Sequence, residues 1–127
     1  MSDVGDNNFI RYIYRGEEGE IIPEDVTHIT IDISVTVIRE EAFYDNPDIV
    51  EVICHDGVKK IEAFAFQYCE SLRRVIMPGV EVVECQAFNN CEGLTDVECG
   101  KLEVIKVGAF SDCTSLRSIN LPSARII

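Results

Sequence analysis

The stretch Ala65-Phe66-Gln67-Tyr68-Cys69-Glu70-Ser71-Leu72-Arg73-Arg74-Val75-Ile76-Met77-Pro78-Gly79-Val80 decides the fold, because the chain repeats it. Ala-Phe occurs at Ala42-Phe43, Ala65-Phe66, Ala87-Phe88 and Ala109-Phe110, at spacings of 23, 22 and 22 residues. Three residues after each Phe stands Asn46, Cys69, Cys91 or Cys113, and three further on Ile49, Leu72, Leu94 or Leu116. Next in step are Val52, Val75, Val97 and Ile119, then Cys54, Met77, Cys99 and Leu121. After a short turn come Val58, Val80, Leu102 and Ala124, and then Ile61, Val83, Ile105 and Ile127. Columns that agree through successive copies are the signature of a repeat architecture. Ile29, Ile31, Val35 and Ile38 match the second half of a unit, so a partial copy comes first.

Each unit reads as a short strand, a tight turn, a second extended piece and a compact helical or irregular turn. Strand alternation puts Val75 and Met77 on one side of Leu72–Met77 and Arg74 and Ile76 on the other. Pro78-Gly79 stops that strand. Glu84–Glu92 leaves room for one helical turn at most. The one-residue change of period lies in a turn: His55-Asp56-Gly57 stands where Pro78-Gly79, Gly100-Lys101 and Pro122-Ser123 stand in later units. Insertions are tolerated in such connections. No unit can bury its own apolar side, so the units must stack into a solenoid.

These columns, in the order AF-x-x-C-x-x-L-x-x-V-x-x-P-x-V-x-x-I, resemble the BspA-type leucine-rich repeat family. The resemblance covers Val26–Ile127 and is closest in Ala65–Gln86 and Ala109–Pro122. Asn46 replaces Cys in the first full unit, and Cys54 and Cys99 stand where Leu is usual. The resemblance implies a solenoid with parallel strands on one face, associated with adhesion and protein binding and not with catalysis. Many members are surface proteins. The polar, acidic segment Met1–Asn8 lacks the pattern of a secretory signal, which leads us to expect an intracellular, cytoplasmic protein.

Composition agrees with a single ordered domain: 127 residues, 46% hydrophobic and 27% charged. The net charge of −12 opposes binding to nucleic acid or an anionic membrane and suits a basic or mixed-charge protein partner. No apolar run approaches the ~18 residues of a membrane span. The expected organisation is a flexible terminus at 1–8, a cap at 9–25 and the solenoid at 26–127. Its units are a partial repeat 26–41, repeats 42–64, 65–86 and 87–108, and an incomplete repeat 109–127.

A solenoid exposes its interior at both ends and needs caps. Phe9-Ile-Arg-Tyr-Ile-Tyr14, the polar turn Arg15–Glu20 and Ile21-Ile22-Pro23 read as a β-hairpin-like or extended cap whose aromatics form a lid. Nothing like a cap follows Ser123–Ile127. A truncated chain, a longer array and end-to-end association all explain that. The residues for association would be Leu116, Ile119, Leu121, Ile126 and Ile127.

The cysteines Cys54, Cys69, Cys85, Cys91, Cys99 and Cys113 fall in repeat columns and contain no CxxC pair. Stacked thiols ~5 Å apart permit a disulfide in distance, but the Cβ vectors of Cys69, Cys91 and Cys113 run parallel and one thiol would be left over. Three thiols in a line cannot converge on a zinc ion with bonds of ~2.3 Å. Reduced, buried thiols filling small core positions are the expectation, with Cys85 the part-exposed one. His28 and His55 fall in adjacent repeats but different columns, and no Ser-His-acid set converges with them. Gly16-Glu-Glu-Gly19 would repel phosphate. We therefore expect neither catalysis, nor metal, nor cofactor.

What remains is the outward side of the strands. Its candidate contact residues are His28, Glu51, Ile53, Arg74, Ile76, Asp96 and Glu98, with His55 in the turn. Ile53 and Ile76 should lie side by side and exposed. Two readings stand: the centre of a contact patch, or strand-favouring residues facing solvent by default. Two functions follow, a protein-interaction module using this face and a self-associating structural unit using the C-terminal end.

Overall fold

The computed structural model describes residues 9–117 and the backbone of 125–126. Two parallel sheets face each other across one interior. The first contains β1 (Arg11–Tyr14), β2 (His28–Ile31), β4 (Glu51–Ile53), β6 (Arg74–Ile76) and β8 (Asp96–Glu98), in the order β1-β2-β4-β6-β8. The second contains β3 (Val37–Ile38), β5 (Lys60–Ile61), β7 (Val82–Val83), β9 (Val104–Ile105) and β10 (Arg125–Ile126), in the order β10-β9-β7-β5-β3. Each repeat therefore gives one strand to each sheet, and the chain is a leucine-rich-repeat solenoid. The register is the one the columns predict: His28, Glu51, Arg74 and Asp96 pair in line, as do Ile29, Val52, Val75 and Val97. No helix occurs among the described residues, so the connecting turns are irregular.

Period-two alternation explains the burial. In β4, Val52 is buried between half-buried Glu51 and exposed Ile53. Ile38, Ile61, Val83 and Ile105 face inward from the second sheet. Between the sheets the Ala-Phe turns stack a column of rings. Phe43, Phe66, Phe88 and Phe110 lie nearly parallel with centroids 5.0, 5.0 and 5.2 Å apart, and Tyr14 tilts onto Phe43 at 5.1 Å. Ring pairs in this range add about 0.5–1.5 kcal/mol each beyond area burial.

Beside the rings runs the thiol column. The Cys69, Cys91 and Cys113 thiols donate to the carbonyls of Phe43, Phe66 and Phe88, each at 3.1 Å. The thiols are thus more than fillers, because each ties one repeat to the one before it. All six cysteines are free, and Cys85 alone is part-exposed. Burial raises Cys54 and Cys69 from the ordinary 9.0 to about 12 and Cys113 to about 11.

Two backbone columns in each Ala-Phe turn are left-handed. Glu41, Phe64, Gln86 and Gly108 precede the Ala with φ of 58, 61, 56 and 71°, and Asp45, Tyr68, Asn90 and Asp112 follow the Phe with φ of 56, 64, 61 and 59°. Asp and Asn accept this conformation readily, whereas Glu, Gln and aromatic residues do not favour it. Stacking imposes it. The N–H groups of Glu41, Phe64 and Gln86 donate to Ala63, Cys85 and Val107 of the next repeat.

Of the two expected forms of the cap, hairpin-like and extended, the structure has the extended one. β1 pairs parallel with β2, Arg11 to His28 through Tyr14 to Ile31, and so adds a strand to the first sheet. Tyr14 enters the interior beside Ile31. The polar turn is closed by Glu20, whose carboxylate accepts from the Tyr12 hydroxyl at 2.6 Å and from the N–H groups of Arg15 and Glu17.

Candidate interaction face

The outer side of the first sheet carries two columns. One is Arg11, His28, Glu51, Arg74 and Asp96; the other is Ile13, Thr30, Ile53, Ile76 and Glu98. Parallel pairing in register brings neighbours to strand spacing of about 4.8 Å. Ile53 and Ile76 are partners as expected, but of the two only Ile53 is exposed, at 40%. Ile76 is half-buried among the side chains beside it. Ile13 is exposed at 44%.

Arg74 is engaged on three sides. Its guanidinium lies 3.3 Å from Glu51, 3.5 Å from Asp96 and 3.7 Å from Glu98. Exposed pairs of this kind are worth about 0–1 kcal/mol each, so their effect is mainly to hold Arg74 flat across three strands. The net charge there is negative, because one cation meets three carboxylates.

The other end of the face is built differently. The Phe9 ring stacks on His28 with centroids 3.6 Å apart, and the Arg11 guanidinium lies 4.6 Å over Phe9. His28 Nδ1 sits 2.7 Å from the Thr27 hydroxyl oxygen. Burial pushes His28 below its ordinary pKa; the Glu51 carboxylate opposes this and the Arg11 charge adds to it. The neutral imidazole is thus favoured at His28, and Arg11 is the cation at this end. The face runs from aromatic and cationic over β1 and β2, through apolar over β4, to acidic over β8.

His55 does not join the face. Its Nδ1 accepts from the Gly57 N–H at 3.0 Å, so its Nε2 carries the proton and donates to the Asp32 carbonyl at 2.9 Å. It braces its own turn against the backbone at Asp32 of the preceding repeat. Of the end-association residues, Leu116 is half-buried, while Ile119, Leu121 and Ile127 and the side chain of Ile126 lie outside the described residues. The sequence places Phe9 in the lid of the cap, but it is exposed on this face, where Arg11 and Ile13 join it. The repeat has a period of 22 or 23 residues, whereas β1 sits 17 residues from β2, as Arg11 to His28 shows. The alternation of Arg11 and Ile13 with Tyr12 and Tyr14 was the available signal.

Among the described residues no group of three or more His, Cys, Asp or Glu side chains is placed to hold a metal ion, and no helix is long and apolar enough to cross a membrane. The repeat register, the thiol and ring columns and the paired strands define a leucine-rich-repeat protein. The family described as BspA type Leucine rich repeat region matches residues 23–127 in six copies, and the chain belongs to that family. The chain is similar to the pneumococcal vaccine antigen PcpA, at 28% identity and TM-score 0.63, covering 81% of this chain and 26% of that one. A leucine-rich repeat protein from Bacteroides ovatus aligns at 22% identity and TM-score 0.52, covering 78% and 38%. A leucine rich cell surface protein from Faecalibacterium prausnitzii aligns at 22% identity and TM-score 0.50, covering 90% and 43%. The chain thus spans less than half the length of each. No curated protein matches it.

Proposed function

We propose that the chain is a non-enzymatic protein-interaction module that binds a protein partner through the outer face of its first sheet. The column Ile13–Thr30–Ile53–Ile76, in which Ile13 and Ile53 are exposed and Ile76 is half-buried, runs between Arg11 and His28 at one end and Asp96 and Glu98 at the other, and carries this reading. An apolar centre with a polar rim is the usual anatomy of a contact patch. The test is capture of partners by wild type and by the Ile53→Asp/Ile76→Asp variant, with thermal unfolding measured on both. Loss of a wild-type partner at unchanged Tm supports the face; equal capture by both proteins refutes it.

A second reading, self-association through the C-terminal end, draws on Phe110 and Leu116. They are half-buried where their counterparts Phe66, Phe88, Leu72 and Leu94 are fully buried. Light scattering that shows a monomer at high concentration removes it. The six free thiols favour an intracellular setting, while the Faecalibacterium relative is described as a cell surface protein. Fractionation of the producing cell tests the location.

A further inference from the structure

The Ala-Phe turns are tied together by a regular set of carbonyls. Those of Ala63, Ala65 and Gln67 accept from the N–H groups of Glu41, Phe43 and Asp45 in the repeat before, at 3.2, 2.7 and 2.7 Å. The carbonyls of Cys85, Ala87 and Asn89, and then of Val107, Ala109 and Ser111, do the same one and two repeats on. All of them therefore point back along the solenoid. In the first turn the same places are held by Glu40, Ala42 and Tyr44. The cap supplies no Ala-Phe turn ahead of them, and among the described residues nothing donates to their carbonyls. On that side lies a groove of about 500 Å³ between cap segment 20–25 and the turn, with Ala42 and Tyr44 in its wall. A cleft of about 240 Å³ continues it past Glu40 and Ala42.

We propose that this groove is a docking site for an extended basic peptide segment, whose backbone N–H groups stand in for those of a preceding turn. An extended chain presents N–H groups along one edge at every second residue, the spacing of Glu40, Ala42 and Tyr44. A row of unpaired backbone groups is a template for such pairing. Charge selects the occupant. Glu20, Glu24, Asp25, Asp45 and Asp48 line the groove, and no Lys or Arg does. In the cleft Arg39 stands against Glu17, Glu18, Glu20, Glu40 and Glu41, and its Nε–H is already given to the Gly16 carbonyl at 2.8 Å. Carbonyls and carboxylates only accept, so this wall matches donors and positive charge. Tyr44 adds an exposed ring, set edge-on to Tyr68 with centroids 5.9 Å apart, against which a Lys or Arg side chain can lie. The chain's own segment 1–8 carries Asp3 and Asp6 and no Lys or Arg, so charge opposes it as the occupant. The inference does not rest on the strand-face reading, since no residue of the groove belongs to the columns of that face.

The test is an NMR titration of the whole chain with a blocked Gly-Lys-Gly-Lys-Gly-Lys peptide, its Gly-Glu counterpart, and the same lysine peptide methylated at every backbone nitrogen. The expected result is a shift of the Ala42 and Tyr44 carbonyl carbons with the unmethylated lysine peptide alone. Methylation keeps the charge and removes the donors, and should weaken binding at least tenfold. The Asp45→Asn/Asp48→Asn variant should bind the lysine peptide about tenfold more weakly, two exposed pairs at roughly threefold each. Asn accepts the left-handed backbone of Asp45, so this variant keeps the fold. Equal binding of the glutamate peptide or of the methylated peptide, or unmoved Ala42 and Tyr44 carbonyls, overturns the proposal. Carbonyl shifts that depend on protein concentration without peptide would make a second copy the occupant and overturn it as well.

Discussion

The inner and outer columns of the first sheet lie one residue apart on the same strands, yet they behave differently. Inward stand Ile29, Val52, Val75 and Val97, apolar at every rung. Outward and adjacent stand Thr30, Ile53, Ile76 and Glu98, different in chemistry from one end to the other. Each inward side chain meets its own counterpart above and below, so every rung is under the same packing constraint. Each outward side chain meets solvent and keeps only strand propensity as a constraint. The repeated column specifies the fold, and the varied column is where specificity can reside.

The sharpest way to break this division is to charge the interior without mutation. The folded state keeps Cys54 and Cys69 protonated up to about 12 and Cys113 up to about 11, against an ordinary 9.0. Their folded pKa values are raised, so their contribution is fully present below pH 9 and is lost as pH rises toward 11–12. Circular dichroism should show cooperative alkaline unfolding in that window under reducing conditions. A chain still folded at pH 12 would mean the thiols are not held as described. Next in size, Phe66→Ala opens a cavity between Phe43 and Phe88 and should cost about 3–5 kcal/mol in denaturant unfolding. A loss below about 1 kcal/mol would show that the ring column does not carry the interior.

A smaller effect tests the turns. A Cβ on Gly79 would collide with the Asp56 carbonyl, while one on Gly100 meets nothing within 4 Å. The extra residue of His55-Asp56-Gly57 brings the backbone of that turn over the next. Gly79→Ala should therefore cost about 1–3 kcal/mol, the usual range for overpacking, and Gly100→Ala close to none. Equal effects would contradict the placement of the insertion.

The same contrast explains what was legible in advance. Ala42, Ala65, Ala87 and Ala109 set the register to the residue, because interior constraint writes itself into composition. The thiol hydrogen bonds were not readable, since a Cys in a core column looks the same whether or not its Sγ–H finds a carbonyl. The left-handed Phe64, Tyr68 and Gln86 were hidden because stacking bonds, and not residue preference, impose that conformation. The turn chemistry of Arg15–Glu20 left a hairpin and an extended cap both open; the parallel pairing that decides for the extended form depends on a 17-residue offset that the repeat does not contain. The partial burial of Ile76 and the bracing role of His55 depend on neighbouring side chains that columns do not describe.

One measurement reaches the central claim directly: the unfolding free energies of Val52→Asp and Ile53→Asp, adjacent on β4. Val52 is 0% exposed and Ile53 40% exposed. Val52→Asp places an unpaired carboxylate in the interior and should cost about 3–5 kcal/mol or prevent folding. Ile53→Asp should stay within about 0.5 kcal/mol of wild type, as surface substitutions do. Comparable losses at the two positions, or a larger loss at Ile53, would contradict the division of the strand into an inner side that folds and an outer side that is free to vary.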